Sequence, residues 1–355
     1  MLILNIILLG LYFILITNSV FKFFTYNNYK NEIKKPVSII VPFRNEEKNI
    51  KECIKSLIEL KLPDSSEIIF VNDHSEDNTA QILNNYLVKY DNLNCLSLDK
   101  EKGKKQAILK GIENASNEII VTLDADCKVK ANWINTLSAP FINENVKMVV
   151  GYIQYDEDNF YSIFNQLEWN AMFVLNFFHR PIVCSGANLA FKKSFISSLK
   201  NPFNMEVESG DDVYLMNNVL KKNKNSVKIV ASAQVNTKAP QSFTDFIMQK
   251  VRWFKKNSSV QSLDSLLIGL LITVVNIFCI INLILFFVSL NYNFLWFVVI
   301  KSIIDFLLLT LVSCHYKQYK NLWSLPFIIV IYPIYFLMLM LASPFFQIKW
   351  KGRTI

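Results

Sequence analysis

The strongest constraint on this chain is where its charge is missing. Residues 1–21 carry no charged side chain, and three further apolar stretches, 263–290, 294–314 and 322–346, occupy most of the other end. A helix needs about 20 apolar residues to cross a bilayer, so each stretch approaches or reaches that length. Between them lies a charged middle. The chain has Lys+Arg 37 and Asp+Glu 29, a net charge of +8, and is 52% hydrophobic. That is too apolar for a disordered or purely soluble chain and too charged to be all membrane. At about 150 residues per domain, 355 residues allow two folded units. Cys53, Cys95, Cys127, Cys184, Cys279 and Cys314 are scattered with no CxxC, so reduced thiols are expected. His74, His179 and His315 offer no His/Cys zinc spacing.

No basic residue precedes the first apolar run and no small-x-small site ends it, so residues 1–26 read as an uncleaved anchor. Lys22, Lys30, Lys34 and Lys35 follow it, which places the next domain in the cytoplasm. Lys255 and Lys256 before the second stretch, and Lys317 and Lys320 after the third, fit the same side with a hairpin between them. The basic tail, 347–355, does not fit a complete further crossing, because Lys349, Lys351 and Arg353 would then face outward. Pro326, Pro333 and Pro344 leave a bent or re-entrant segment open, so 263–346 holds two or three spans. Lys301 and Asp305, four residues apart, read as a mutually neutralising pair facing protein.

The middle alternates strand and helix. Residues 37–41 form a β-branched strand stopped by Pro42. Asn45 can cap the helix that follows, with Glu46 and Glu47 at its anion-favouring start. Strand 67–71, helix 78–90, strand 94–98, helix 104–115 and strands 118–123 and 146–153 continue the pattern. This implies an α/β fold: a doubly wound, Rossmann-like, mostly parallel sheet with right-handed crossovers.

In such a sheet ligands bind outside the carboxyl ends of the strands. Arg44, Asn45 and Glu46 follow the first strand, and Asp73, His74 and Asp77 the second. Gly103, Lys104 and Lys105 follow the third, and Asp124 and Asp126 the fourth, so all fall on one edge. In extended backbone Asp124 and Asp126 point the same way. They repel unless a cation sits between them, and Mg²⁺ or Mn²⁺ takes one or two carboxylates plus substrate phosphates. The bland alternative is a turn in which one of them caps a helix near 132–136.

Asp73 can accept hydrogen bonds from a nucleobase or ribose, or it can belong with Asp77 to a capped loop. Gly103-Lys104 opens a helix, and a helix start attracts phosphate. Gly210-Asp211-Asp212 precedes Val213, Leu215, Met216 and Val219 at helical spacing. It is either a plain helix start, or Asp212 is a general base with Asp211 beside it. Gln249-x-x-Arg252-Trp253 lies on a basic amphipathic helix over 242–257, in a segment 241–260 that suits a bilayer surface. An Arg beside Trp there suggests a specific phosphate contact. The aromatic stretch 160–178 is an interfacial helix near a lipid or a buried core helix. Nucleic acid is not needed to explain the net charge, since part of the excess flanks apolar spans where anionic lipid accounts for it.

In this order the motifs resemble those of a membrane-bound family-2 glycosyltransferase, over about residues 35–256. The residues that carry the resemblance are Val41-Pro42-Phe43-Arg44-Asn45-Glu46, Val71-Asn72-Asp73-His74-Ser75-Glu76-Asp77-Asn78-Thr79 and Gly103-Lys104. They continue with Asp124-x-Asp126, Gly186-Ala187-Asn188, Gly210-Asp211-Asp212 and Gln249-x-x-Arg252-Trp253. The resemblance implies a GT-A catalytic domain over 35–240, an inverting transfer from a nucleotide-sugar donor, and Mg²⁺ or Mn²⁺. It implies that Pro42, Arg44, Glu46 and Lys104 line the donor, that Asp73 contacts the base, and that Asp124 contacts the ribose or the metal. Asp126 would hold the metal on the diphosphate, and Asp212, with Asp211, would supply the base. Asn188 would border sugar or acceptor, while Gln249, Arg252 and Trp253 would line the acceptor and diphosphate end.

Two positions depart from the commoner pattern. The acidic pair is Asp-Asp rather than Glu-Asp, a variant also seen in hyaluronan-type synthases, and His74 stands where many members have Gly. The acceptor would be a lipid (a polyprenyl phosphate, carotenoid, hopanoid or diacylglycerol) or a growing glycan in a processive synthase. The few carboxy-terminal spans favour the lipid. A non-catalytic adaptor would tolerate loss of Asp212, Asp126 or Arg252, yet all are present. A nucleotidyltransferase would instead release diphosphate from a triphosphate. The implied location is a bacterial cytoplasmic membrane, with the catalytic domain inside and a role in cell-envelope biogenesis.

Overall fold

A computed structural model describes residues 1–26, 35–156, 159–204, 210–259, 262–346, 349–350 and 353–354. The chain divides into two compact units. One comprises Met1–Tyr26, Glu157–Val183 and Ala239–Ile348, and the other Asn27–Asp156, Cys184–Lys238 and Lys349–Ile355.

The second unit is built on strands β1 (Val37–Phe43), β2 (Glu67–Asn72), β3 (Leu93–Ser97), β4 (Ile119–Thr122), β5 (Lys128–Val129), β6 (Met148–Tyr155), β7 (Leu189–Lys192) and β8 (Val227–Thr237). Helices α2 (Ile50–Ile58), α3 (Thr79–Leu87), α4 (Lys104–Asn114), α5 (Trp133–Ser138), α7 (Lys193–Ser197) and α8 (Asp211–Lys222) connect them. A two-residue pairing of β9 (Lys349–Trp350) with β10 (Arg353–Thr354) stands apart from the sheet.

The strand order is β3-β2-β1-β4-β7-β6-β8-β5. The first four strands are mutually parallel; β7 runs antiparallel to β4 and β6, and β5 antiparallel to β8. The sheet is thus α/β and mostly parallel, with two reversed strands that the hydrophobic pattern alone does not reveal. Chain order turns back between β1 and β4, the switch point where α/β sheets bind ligands.

Pro42 does not stop β1, contrary to the expectation from its missing N–H. It pairs opposite Val71 of β2, but β4 pairs only as far as Ile40, so no ladder bond is lost on that side. The core of α2 is formed by Ile50, Cys53, Ile54 and Leu57, all fully buried.

The first unit contains α1 (Leu2–Thr25), α6 (Phe160–Leu175), α9 (Phe243–Ser259), α10 (Leu263–Ser289), α11 (Leu295–His315) and α12 (Leu325–Ala342). Four segments, Leu2–Thr25, Leu263–Ser289, Tyr292–His315 and Tyr319–Phe345, are long and apolar enough to cross a membrane. Pro333 lies inside α12 without interrupting it.

Polar side chains tie these helices together where apolar packing alone gives little specificity in lipid. Asn5 of α1 and Asn282 of α10 exchange amide hydrogen bonds of 3.0 and 3.3 Å. Lys301 and Asp305 pair at 2.7 Å, 1% and 8% exposed, as their spacing implies. The aromatic segment around α6 packs on α1 and α11 within this unit.

Candidate functional site

The loops after β1 and β2 interlock. Arg44 is buried, and its Nη1 donates to the carbonyls of Asp73 at 3.0 Å and His74 at 2.5 Å, while Nη2 pairs with Glu76 at 3.0 Å. Asn45 adopts a positive φ of 51°. It does not cap α2: its Oδ1 accepts from the Glu76 amide at 2.9 Å, and the residue before α2 is Asn49, which makes no side-chain cap bond. The Glu46 amide donates to Thr79 Oγ1 at 2.8 Å. Asp77 accepts from Thr79 and from the Glu47 amide. Burial opposes ionisation of Asp77, but these hydrogen bonds outweigh it and hold the carboxyl below its ordinary range. Arg44, Asn45 and Asp77 therefore shape the loop, Arg44 from a buried position and Asn45 from an exposed one.

Asp73 directly follows β2 and is 2% exposed. One carboxylate oxygen accepts the Gly103 amide at 3.1 Å, where Gly103 takes the φ of 105° that opens α4. The next residue, Lys104, reaches Asp124 at 2.5 Å, with both side chains partly exposed. The phosphate-type helix start is thus held between an acid of β2 and an acid beyond β4.

Asp124 and Asp126 follow β4, and neither caps α5, whose preceding Asn132 makes no side-chain bond to it. Their field shows at two neighbouring thiols. Burial, then Asp126, Glu46 and Asp124, push Cys53 up; burial, then Asp126 and Asp124, do the same to Cys127. Among the described residues no group of three His, Cys, Asp or Glu side chains is placed to hold a metal. The backbone turns at the two acids, with the Cys127 amide donating to the Asp124 carbonyl at 3.0 Å, so the extended geometry expected to point both the same way is not present. One or two carboxylates still suit a hard divalent ion whose other ligands are substrate phosphate and water.

Asp212, 5% exposed, lies in the first turn of α8 after Gly210, whose φ is 96°. Its Oδ2 accepts the Gly186 amide at 2.9 Å and its Oδ1 the Val213 amide at 2.8 Å. Gly186 in turn accepts from Thr122 Oγ1, at the end of β4, at 2.7 Å. A chain of contacts therefore joins Asp212 to the strand end that carries Asp124 and Asp126. The side chain of Asp211, and residues 205–209, lie outside the described residues.

The expectation that Asn188 borders a substrate is corrected. Asn188 is fully buried, with Nδ2 donating to the Tyr152 and Ala233 carbonyls at 2.8 Å each and Oδ1 accepting from Trp133 Nε1 at 3.0 Å. Its side chain fills the space above Gly151, where a Cβ would lie 2.3 Å from Asn188 Nδ2. A glycine inside a strand signals such a close approach, and Gly151 is a supporting residue that the motifs did not single out. Gly151→Ala is expected to cost about 3 kcal/mol or more, because Asn188 is tethered on three sides. The full chain in detergent should melt several degrees lower; an unchanged melting temperature would show that Asn188 can move aside.

Gln249, Arg252 and Trp253 lie on α9 in the helical unit. Ser242 caps that helix by accepting the Asp245 amide at 3.1 Å. Gln249 Oε1 accepts from Asn165 of α6 at 2.9 Å. Between the motif residues, Lys250 is 1% exposed and ion-paired with Glu168 of α6. Its ammonium also lies 4.7 Å from the Trp253 ring centre, so Trp253 covers a buried cation. Nothing in the sequence motif announces Glu168, which lies 82 residues earlier.

The glycosyltransferase AglE of Haloferax volcanii is 27% identical over 180 residues, covering 50% of this chain and 59% of that protein. The glycosyltransferase GlyG of Streptococcus pneumoniae is 33% identical over 128 residues, 35% of this chain and 42% of that protein. This chain thus spans about half the length of these curated relatives. A mannosyltransferase from Pyrobaculum calidifontis, solved with GDP-Man and Mn²⁺, superposes with a TM-score of 0.54 at 17% identity, covering 73% of this chain and 74% of that one. That likeness establishes the GT-A fold. The model of glycosyl transferase family 2 matches residues 38–199, and that of glycosyl transferase family group 2 matches 119–346, more than half of the chain. The chain belongs to the family-2 glycosyltransferases.

Proposed function

We propose that this protein transfers a sugar, with inversion, from a nucleoside-diphosphate donor to a hydroxyl or phosphate of a lipid-linked or membrane-associated acceptor. The observation that carries the proposal is the link from Asp212 through Gly186 and Thr122 to the strand end bearing Asp124 and Asp126. That link supports reading Asp212 as the base and Asp124 and Asp126 as the acids of the diphosphate end. A dolichyl-phosphate beta-glucosyltransferase of Trichomonas vaginalis, 31% identical over 144 residues, supports a lipid-linked acceptor.

In the proposed reaction the Asp212 carboxylate takes the acceptor proton as the acceptor oxygen bonds to the anomeric carbon. The bond from that carbon to the diphosphate breaks, and the nucleoside diphosphate leaves. Lys104, at the start of α4, is placed to meet charge growing on the leaving group. Asp124 and Asp126 would hold Mg²⁺ or Mn²⁺, which supplies further neutralisation of the diphosphate. Asp73 and Gly103 fix the loop on which the nucleoside would rest, and Pro42, Arg44 and Glu46 build its other wall. Arg252 and Trp253 are assigned to the acceptor and diphosphate end, with Gln249 held by Asn165. The test is a screen of nucleotide sugars with the purified full chain and Mn²⁺, reading nucleoside diphosphate release. Release from one donor supports the proposal, and inertness toward all of them in the presence of membrane lipid refutes it.

A processive synthase is a second reading, favoured by Gln249-x-x-Arg252-Trp253. It is also favoured by a poly-beta-1,6-N-acetyl-D-glucosamine synthase of Staphylococcus epidermidis, 34% identical over 90 residues but with only 21% of that protein covered. Product length from labelled donor separates the two.

The proposed setting is a cytoplasmic membrane with the sheet domain inside. Lys255 donates to the Phe346 carbonyl at 2.7 Å. The end of the last apolar segment therefore meets α9, which precedes α10, and three complete crossings after α9 would separate these points by a bilayer of about 30 Å. A third segment that does not complete a crossing also keeps Lys349, Lys351 and Arg353 on the inner side. A green fluorescent protein fused after residue 355 is expected to fluoresce in cells, and an alkaline phosphatase fused there to be inactive; the reverse pattern rejects this topology.

A further inference from the structure

Within the helical unit, α1, α6, α10, α11 and α12 enclose a cleft of about 90 Å³. Apart from Tyr12, Glu168, Asn276, Lys301, Asp305 and Tyr332, its lining is aliphatic, methionine or phenylalanine. Each charge in the wall is matched. Lys301 pairs with Asp305 at 2.7 Å, Tyr12 donates to Asp305 Oδ1 at 2.6 Å, and Glu168 pairs with Lys250. One polar atom is not matched. Asn276 is 3% exposed and donates Nδ2 to the Ile272 carbonyl at 2.9 Å, but its Oδ1 has no partner among the described residues.

We propose that this cleft binds the hydroxyl-bearing hydrocarbon part of a neutral membrane lipid, whose hydroxyl donates to Asn276 Oδ1. The lining selects hydrocarbon. The orphan is an acceptor, so it selects a donor, and leaving it unfilled costs about 1–3 kcal/mol. The balanced ion pairs select against a phosphate, which would bring uncompensated charge into a site without bulk water. The volume is several times the roughly 10–15 Å³ that one water needs on the same measure and below the roughly 150 Å³ of a cavity that holds benzene. It therefore takes a hydroxyl with a few methylenes, not a sugar ring. Identifying this lipid as the acceptor rests on the transferase reading above; the binding itself does not.

The test uses the full chain in phosphatidylcholine nanodiscs without donor. The probes are a diazirine-bearing long-chain alcohol, its methyl ether and its phosphate monoester. The alcohol is expected to photolabel α10, α11 or α12 and to compete about three- to tenfold better than the ether. Asn276→Leu should erase that preference. Ile272→Trp, or the filling change Ala171→Phe from the facing helix, should erase the labelling. Equal competition by the ether, stronger binding of the phosphate, or labelling that survives both filling variants overturns the proposal; the last two outcomes indicate an anionic site or a cleft holding only water. Donor binding on the same samples separates the two failures. A chain that binds nucleotide sugar but not the alcohol loses only the cleft, and one that binds the alcohol but turns over no donor loses only the transferase.

Discussion

Asp212→Asn is expected to lower turnover by about 10²- to 10⁴-fold, the usual contribution of a positioned base, while donor affinity stays within a few-fold. Two backbone amides, Gly186 and Val213, converge on the two carboxylate oxygens. That geometry fixes where the oxygens point, as a base needs if it is to meet an acceptor hydroxyl. The substitution keeps size and shape but turns one oxygen into a donor. If that atom faces Gly186, a buried amide pair is lost at about 1–3 kcal/mol, and the loop that Thr122 holds will loosen. Stability and chemistry therefore have to be read separately. Donor and metal binding by titration report the edge, the melting temperature reports the loop, and single-turnover transfer reports the base. Parallel loss of donor binding and turnover would make Asp212 a strut rather than a base.

The first four strands were legible because each is a buried run of Val, Ile and Leu that ends in polar residues, and a parallel sheet leaves little else for such a run to do. Strands β5 and β7 were not. With two and four residues they exist only because β8 and β4 pair with them, and no local propensity marks so short a strand. The register shift between Gly151 and Tyr152, where β8 carries residues 231–233 without partners in β6, is likewise unmarked in the sequence, and Asn188 donates to the Tyr152 and Ala233 carbonyls beside it. At the site, the acids could be placed because a strand end fixes position. What each polar group does there depends on partners remote in sequence. Asn188 and Arg44 looked like ligand contacts, yet their side chains are held by groups 29 to 55 residues away: carbonyls and a carboxylate for Arg44, two carbonyls and the Trp133 indole for Asn188. Glu168 was invisible for the same reason, since a carboxylate on an aromatic helix shows no purpose until Lys250 of another helix meets it.

Asp126→Ala carries the other large effect: donor binding should lose its dependence on Mn²⁺, with metal affinity lowered by about 100-fold or more, beyond the usual cost of losing a group that only orients a ligand. The two acids are not equivalent. Asp124 is already neutralised by Lys104 at 2.5 Å, so a divalent ion must share that carboxylate with an ammonium. The charge of Asp126 is felt at Cys53 and Cys127 ahead of that of Asp124. Lys104→Met should therefore move the system the opposite way. It strips a competing cation from Asp124, strengthening Mn²⁺ binding by the free protein, yet removes a positive charge from the diphosphate and weakens donor binding. Free Mn²⁺ followed by its paramagnetic resonance signal, with and without nucleoside diphosphate, reads both effects without any turnover. Metal affinity unchanged in Asp126→Ala would remove Asp126 from the metal site. A fall in Lys104→Met would mean that the lysine organises the acid pair rather than competing for it.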